Sequence, residues 1–216
     1  MHISIKEVFG KSWELTKKHL WFLLVLFFVT AIVQGVTGEA EGLTGFVLNL
    51  LAGACVLVAW TRVTLDITFG KEPTVDAISK EFDHFLTYLA TFFVFQIALL
   101  VGFVLLIIPG VYVLVTYNWF PYLIAEKHNG VEEAFKQSAL LADGARWQIL
   151  KFFFALLGLN ILGFLALVIG LFVTIPMSMI ASAIVYRALV ARREHAQSPA
   201  PVAPQSEAAT PPAQPA

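Results

Sequence analysis

The apolar positions of this chain are gathered into four long blocks, at residues 20–38, 43–61, 87–125 and 152–188. A helix crosses the roughly 30 Å of bilayer hydrocarbon with about 20 apolar residues. The first two blocks have the length of one crossing each, and the last two are about twice as long. The pattern therefore predicts membrane-spanning helices in every block.

Both long blocks contain residues that interrupt helices near their middle. Ile108-Pro109-Gly110 divides the third block, and the segment from Gly170 to Pro176 divides the fourth. Proline lacks an amide proton and clashes with the preceding helical turn, so Pro109, Gly110 and Pro176 predict hairpin turns. The predicted fold is all-α, a polytopic bundle of six transmembrane helices in three hairpins. The alternative is a single kinked helix at one of these breaks, which leaves five or four spans.

A short segment with helical periodicity precedes each hairpin. The first apolar stripe contains Ile5, Val8, Phe9, Ser12, Trp13, Thr16 and Leu20. The second contains Val75, Ile78, Phe82 and Phe85, and the third contains Val131, Ala134, Phe135, Ser138 and Ala142. Charged residues occupy the other faces, which predicts three amphipathic helices lying in the cytoplasmic headgroup region.

The first and third of these segments are copies of one another at a constant offset of 126 residues. The identical pairs are Glu7/Glu133, Phe9/Phe135, Ser12/Ser138, Leu15/Leu141, Trp21/Trp147, Leu24/Leu150, Phe27/Phe153 and Phe28/Phe154. We interpret the chain as three repeat units, at 1–66, 73–127 and 129–191, with the middle unit as the weakest copy. Each unit consists of one amphipathic helix and two spans.

Composition and charge support a membrane protein and give it an orientation. Hydrophobic residues make up 58% of the chain and charged residues 13%, against about 25% charged in soluble domains, and the mean hydropathy is +0.78. All 14 Lys and Arg residues fall in segments that six spans place on one side, at 1–19, 62–86, 126–151 and 187–216. Positive residues mark the cytoplasmic side, so both termini are predicted to be cytoplasmic. The net charge of −1, without a basic patch, argues against a nucleic-acid partner.

The last stretch of the chain has a different composition. Residues 194–216 are rich in Pro and Ala and contain almost no large apolar side chains. Such a segment cannot bury enough surface to fold, which predicts a disordered cytoplasmic tail after a transmembrane domain at 1–193.

Two stretches, SWELTKKHLW and IPGVYVLVTYNWFPYLIAEKHNGVEEAFKQSALLADGARW, resemble a group of bacterial membrane proteins. The shared features are a Pro-Gly turn, a span ending near Pro121, a polar turn with Gly130, an Ala-Phe pair and Ser138. The group contains the YciC-like inner-membrane proteins and the membrane domain that accompanies some glycerophosphodiester phosphodiesterases. The resemblance implies a six-helix protein of the bacterial inner membrane, and it brings no catalytic residues with it.

Polar side chains within the spans are candidates for helix packing or for a substrate pathway: Asn49, Gln96, Asn118 and Asn160. Asn49 shares a helix face with Gly45 and Gly53, which predicts that the two glycines make the closest helix contact of the first unit. Pro121 predicts a kink in the fourth span near Asn118.

Three charged residues stand at the cytoplasmic ends of spans and are predicted to be interfacial anchors: Arg62, Asp66 and Arg187. Arg62 and Asp66 are four residues apart on one helical face. They can pair with each other, or Arg62 can extend to lipid phosphates.

No residue pattern in the sequence indicates catalysis. The five histidines have no metal-ligand spacing on a common helix face, and Cys55 is the single cysteine. Phosphate-binding loops and nucleophile–base arrangements are also missing. We therefore expect a protein that is not an enzyme and has no cofactor.

Two functions remain as hypotheses. The first is a scaffold or envelope-maintenance protein, with membrane lipids, a second copy or other membrane proteins as partners. The second is a small transporter, exporter or lipid-handling protein with a cavity between the three units. A continuous polar cavity that reaches Asn49, Asn118 and Asn160 favours the second hypothesis, and a tightly filled bundle favours the first.

Overall fold

The computed structural model describes residues 4–39, 41–166 and 170–197, and these ranges form helices and short connections without any strand. One 3-10 turn, at Phe82–His84, separates the fourth and fifth helices. The α-helices of the described ranges are α1 (Ile5–Lys18), α2 (Leu20–Gly38), α3 (Gly42–Thr68), α4 (Val75–Glu81), α5 (Phe85–Leu105), α6 (Ile107–Tyr117), α7 (Phe120–Lys127), α8 (Val131–Ala142), α9 (Arg146–Leu165) and α10 (Leu171–Gln197).

Six helical segments are long and apolar enough to cross a membrane, which confirms the predicted number of such helices. They are Leu20–Gly38, Gly42–Thr68, Val75–Leu105, Ile107–Lys127, Arg146–Leu165 and Leu171–Ala196. Short helices α1, α4 and α8 occupy the three places where the periodic pattern predicts amphipathic helices. Thr74 caps α4, because its hydroxyl accepts the Ala77 N–H at 3.2 Å.

The break in the third block falls three residues earlier than predicted. Helix α5 ends at Leu105, Leu106 is extended (φ −169°, ψ 154°), and Pro109 and Gly110 already lie in the first turns of α6. Proline is tolerated there because the first amides of a helix have no partner inside the helix. Gly110 instead lies at a close contact between α5 and α6. A Cβ atom added to Gly102 would come within 2.9 Å of the Gly110 Cα. The two glycines thus let α5 and α6 approach backbone to backbone.

Pro176 is not in a turn, which corrects the prediction for the fourth block. It is an interior residue of α10, where its missing amide removes one helical hydrogen bond. The connection lies earlier, between Ala166 and Gly170, and residues 167–169 of it are outside the described ranges. A second glycine pair marks the crossing here, because a Cβ on Gly170 would come within 2.4 Å of the Gly163 carbonyl oxygen.

The fourth span is interrupted at Asn118 and Trp119, and Pro121 stands in the first turn of α7. The break leaves backbone groups without helical partners, and Ser138 of α8 binds two of them. Its hydroxyl donates to the Thr116 carbonyl at 2.9 Å and accepts the Trp119 N–H at 3.3 Å. A side chain from a short helix therefore stabilises a break in a long one.

The helices pack in a cyclic order. Helices α1 and α2 pack against α10, α4 and α5 pack against α3, and α8 packs against α6 and α7 while α9 contacts α6. Each short helix, with the long helix that follows it, therefore contacts the last long helix of another unit. As a consequence α3, α6–α7 and α10 are central, and they carry most of the buried residues of the long helices.

The end of α10 extends beyond the predicted domain boundary. The helix continues to Gln197, so the first residues of the predicted tail at 194–216 are helical. Residues 198–216, where the tail was predicted to be disordered, lie outside the described ranges.

Candidate functional site

A cavity of about 330 Å³ lies between the three central helices, and we call it the central cavity. Helices α3, α7 and α10 line it, together with Gln34 of α2 and Phe92 of α5. Its polar lining consists of Gln34, Thr61, Thr64, Asn118, Tyr122 and Ser182. Asn118 is half-buried at the break in the fourth span, so the helix interruption places an amide on the cavity wall.

A second cavity of about 470 Å³, the outer cavity, adjoins the first. It contains Asn49 and Gln96, and it shares Gln34, Gly53 and Phe92 with the central cavity. The partition is thin, because a Cβ on Gly53 would lie 3.1 Å from the Phe92 ring. The close neighbour of Gly53 therefore belongs to α5, in the second predicted unit.

Asn49 is exposed, and its amide nitrogen donates to the Thr37 carbonyl of α2 at 3.1 Å. The Asn49 side chain thus has a protein partner across the first pair of long helices. Gln96 is also exposed, and it lines the outer cavity but not the central cavity.

Asn160 lines neither cavity, but hydrogen bonds through Ser178 connect it to Ser182 on the wall of the central cavity. Its amide nitrogen donates to Ser178 Oγ at 3.0 Å and to the Leu156 carbonyl at 2.9 Å. Ser182, which lines the central cavity, donates to the Ser178 carbonyl at 2.9 Å. The buried Asn160 Oδ1 and Thr174 Oγ1 have no hydrogen-bond partner among the described residues.

A buried ionic cluster lies beside the central cavity. Arg62 contacts Asp66 at 3.1 Å and Glu81 at 3.5 Å, and both carboxylates are only 4% exposed. Tyr88, fully buried, donates its hydroxyl to Glu81 at 3.0 Å and lies 3.3 Å from the carbonyl of Pro121, which lines the cavity. Burying a carboxylate is costly unless it is paired and hydrogen-bonded, and this cluster meets both conditions.

Arg62 and Asp66 therefore pair with each other, and the cluster joins α3 to α4 and α5. Arg187 makes a different connection. Its guanidinium donates to the Thr68 carbonyl at the end of α3 and lies over the Phe69 ring, 4.1 Å from the centroid. A cation at a helix C-terminus is favoured by the helix dipole, so Arg187 ties α10 to the end of α3.

A polar pocket of about 410 Å³ lies on the other side of the ionic cluster. It is lined by Arg62, Asp76, Ala77, Lys80, Glu81, Asp83, His84 and His128. The His84 and His128 rings are 4.4 Å apart, yet no group of three possible metal ligands exists within the described ranges. Arg62 and Glu81 thus face this pocket and also belong to the cluster beside the central cavity.

Comparison with protein-family models, with curated proteins and with solved structures found no match. The assignment of a function to this chain therefore rests on its geometry.

Gln34, Glu81 and Tyr88 are the residues of this region that sequence reasoning missed. Gln34 carried a usable signal, since it is a large amide within an otherwise apolar first block. Glu81 and Tyr88 carried none, because their role depends on contacts between separate helices.

Proposed function

We propose that this chain is a multi-pass protein of the bacterial inner membrane that binds a small amphipathic molecule and acts as a transporter, exporter or lipid-handling protein. The observation that carries the proposal is the pair of adjoining cavities that share Gln34, Gly53 and Phe92. Ligand sites are mostly apolar concavities with a few polar groups that fix orientation. Both cavities have this character.

The polar groups define the chemistry of the ligand. Amides and hydroxyls, namely Gln34, Asn49, Gln96, Asn118, Thr61 and Ser182, offer neutral hydrogen bonds and no charge. Their surroundings are apolar, so a molecule with an uncharged polar group and an apolar body fits best. No catalytic role is proposed for any of them.

The proposed topology has three hairpins with α1, α4 and α8 on the cytoplasmic membrane surface and both termini inside. The support comes from the distribution of the 14 basic residues and from the presence of helices at the three expected places. Membrane lipids are the proposed partners. The likeness to the YciC-like group remains part of the proposal.

A scaffold role is the second candidate, and the filled part of the bundle favours it. The largest fully buried side chains, among them Trp119, Tyr88, Tyr186 and Phe152, form a dense layer beside the central cavity. A scaffold needs this layer and does not need the cavities.

Binding of a fluorescent monoacylglycerol, a single-chain lipid with an uncharged headgroup, to the purified chain in nanodiscs separates the two candidates. Gln34→Leu removes the amide that both cavities share, and we expect it to weaken binding about tenfold, the equivalent of one hydrogen bond. Thr37→Val is the matched control, because Thr37 is a polar residue one helical turn further along α2 and lines neither cavity. Equal binding by the wild type and both variants contradicts the cavity proposal, and an absence of binding by the wild type favours the scaffold.

A further inference from the structure

An apolar groove of about 340 Å³ runs along α2 and α3, and Val56 is the one lining residue that it shares with the central cavity. Side chains of α2 from Phe22 to Val33 form one wall, and Cys55, Val56 and Ala59 of α3 form the other. Val75 and Ile78 of α4, with Phe82, complete the lining. The only lining residue with a hydroxyl group is Thr30, which accepts the Trp60 indole N–H at 3.4 Å.

We propose that this groove holds one acyl chain of a phospholipid from the cytoplasmic leaflet. The dimensions support this occupant. Phe22 and Val33 are eleven residues apart, which is about 16 Å along a helix and close to half the thickness of the hydrocarbon core. An acyl chain that begins at the headgroup region ends at this depth.

The volume of the groove argues against a protein helix as the occupant. A transmembrane helix about 10 Å wide would fill roughly 1,200 Å³ over the same length, well above the observed volume. A single acyl chain is narrower than a helix and does not need that volume.

The charges near the Phe22 end of the groove match a lipid phosphate. Lys18 stands one helical turn before Phe22, and it pairs at 3.4 Å with Glu72, three residues before Val75. Both side chains are well exposed, and Lys71 is adjacent in sequence. Two cations and one carboxylate leave a net positive charge where the phosphate of a seated lipid lies.

Native mass spectrometry of the full chain, purified in mild detergent with phosphatidylglycerol, tests the proposal. We expect the wild type to retain one phospholipid, and Ala59→Phe and Val29→Trp to lose it because their side chains fill the groove. Ala31→Phe is the matched control, since Ala31 is exposed on α2 outside the groove. Two filling variants guard against a folding defect, because Val29 is already half-exposed.

Cys55 provides a second readout, because it is the only cysteine of the chain and lines the groove. Added phosphatidylglycerol should slow its reaction with an apolar thiol reagent at least tenfold. The Ala31→Cys thiol in a Cys55→Ala background should be unaffected. Lipid retention by both filling variants, or equal loss in Ala31→Phe, overturns the proposal. So does protection of Cys55 that follows protein concentration instead of lipid, since a second copy then covers the groove.

The outcome is separable from that of the proposed function. Gln34 does not line the groove and Ala59 does not line either cavity. Gln34→Leu should therefore keep the retained phospholipid, and Ala59→Phe should keep monoacylglycerol binding.

Discussion

Buried polar side chains join separate helices of this protein, and Tyr88 is the clearest example. Its hydroxyl lies between the Glu81 carboxylate of α4 and the Pro121 carbonyl of α7. A single residue of α5 thereby contacts an ionic cluster on one side and the wall of the central cavity on the other. Arg62, with carboxylates of two helices around it, has a comparable connecting position.

Tyr88→Phe removes one hydroxyl from this cluster and keeps the ring. The Glu81 carboxylate loses a buried donor, so we expect a destabilisation of about 1–3 kcal/mol. Thermal unfolding of the purified protein in detergent measures it. Tyr112→Phe is the control, because Tyr112 is 48% exposed and should change stability little. Equal melting temperatures for the two variants would show that the Tyr88 hydroxyl contributes nothing.

His19 gives the fold a pH dependence. Burial lowers its pKa below the ordinary value of 6.5, against an opposing effect of Glu72 at 3.4 Å and with a smaller lowering by Lys18. The unfolded chain then binds more protons than the folded chain just below pH 6.5, so stability is complete above that pH and falls as the pH decreases. We expect the melting temperature of the wild type to fall relative to that of His19→Gln when the pH is lowered from 7 to 5. A difference that is constant over this range would refute the assignment.

The matching serines of α1 and α8 make different hydrogen bonds. Ser12 of α1 and Ser138 of α8 are equivalent in the repeat and are both fully buried. Ser12 donates only to the Phe9 carbonyl of its own helix, whereas Ser138 binds two backbone groups at the break between α6 and α7. The break in the fourth span is therefore stabilised by α8.

Replacing each serine by alanine should separate these roles. Ser138→Ala leaves the buried Trp119 amide without its acceptor and should cost about 1–3 kcal/mol. Ser12→Ala removes a bond within one helical turn and should cost less than about 0.5 kcal/mol. Denaturation in detergent compares them directly, and equal losses would contradict the proposed support of the break by Ser138.

Close glycine contacts set the crossing of α5 with α6. Gly102→Ala places a methyl group 2.9 Å from the Gly110 backbone, so α5 and α6 must separate and the thermal stability in detergent should fall. Gly35→Ala is the matched control, because no atom lies within 4 Å of its Cβ position. Alanine favours a helix over glycine by up to about 1 kcal/mol, so this control should be neutral or stabilising. A Gly102 variant as stable as the Gly35 variant would exclude a tight crossing.

The sequence allows the long helices to be predicted well and their connections less well. The first block matches α2 at both ends, because hydrophobicity alone decides where such a helix runs. The second apolar block ends at residue 61, but the spacing of Arg62 and Asp66 already indicated that the helix continues, and α3 extends two residues beyond Asp66, to Thr68. A charged residue ends the apolar pattern in the sequence. In the structure Arg62 pairs with Asp66 and Glu81, so this charged part of α3 can be buried.

The candidate site could be predicted only in part for a related reason. Asn49, Gln96 and Asn118 stand out as amides within apolar blocks, and all three line a cavity. Which of them share a cavity depends on how the helices pack against one another. The residue pattern of a single helix does not predict that packing. Pro109 and Pro176 show the same limit, because proline is compatible with a turn, a first helical turn or a membrane-helix interior.

The molecule as a whole is interpreted as three units of one orientation, each beginning and ending on the cytoplasmic side. Cyclic packing of α1 on α10, α4 on α3 and α8 on α6 and α7 is consistent with this reading. If all units share an orientation, the three short helices lie on one membrane surface. The Phe22 end of the apolar groove and the basic residues then lie on that same surface.

Reporter fusions that distinguish periplasm from cytoplasm test this orientation most directly. Fusions after residues 41, 106 and 170 lie at the connections within the three proposed hairpins, and fusions after residues 72, 130 and 197 follow the three hairpins. The proposed topology requires periplasmic activity for the first three fusions and cytoplasmic activity for the other three. Cytoplasmic activity from any fusion after residue 41, 106 or 170 would contradict the six-span, three-unit arrangement.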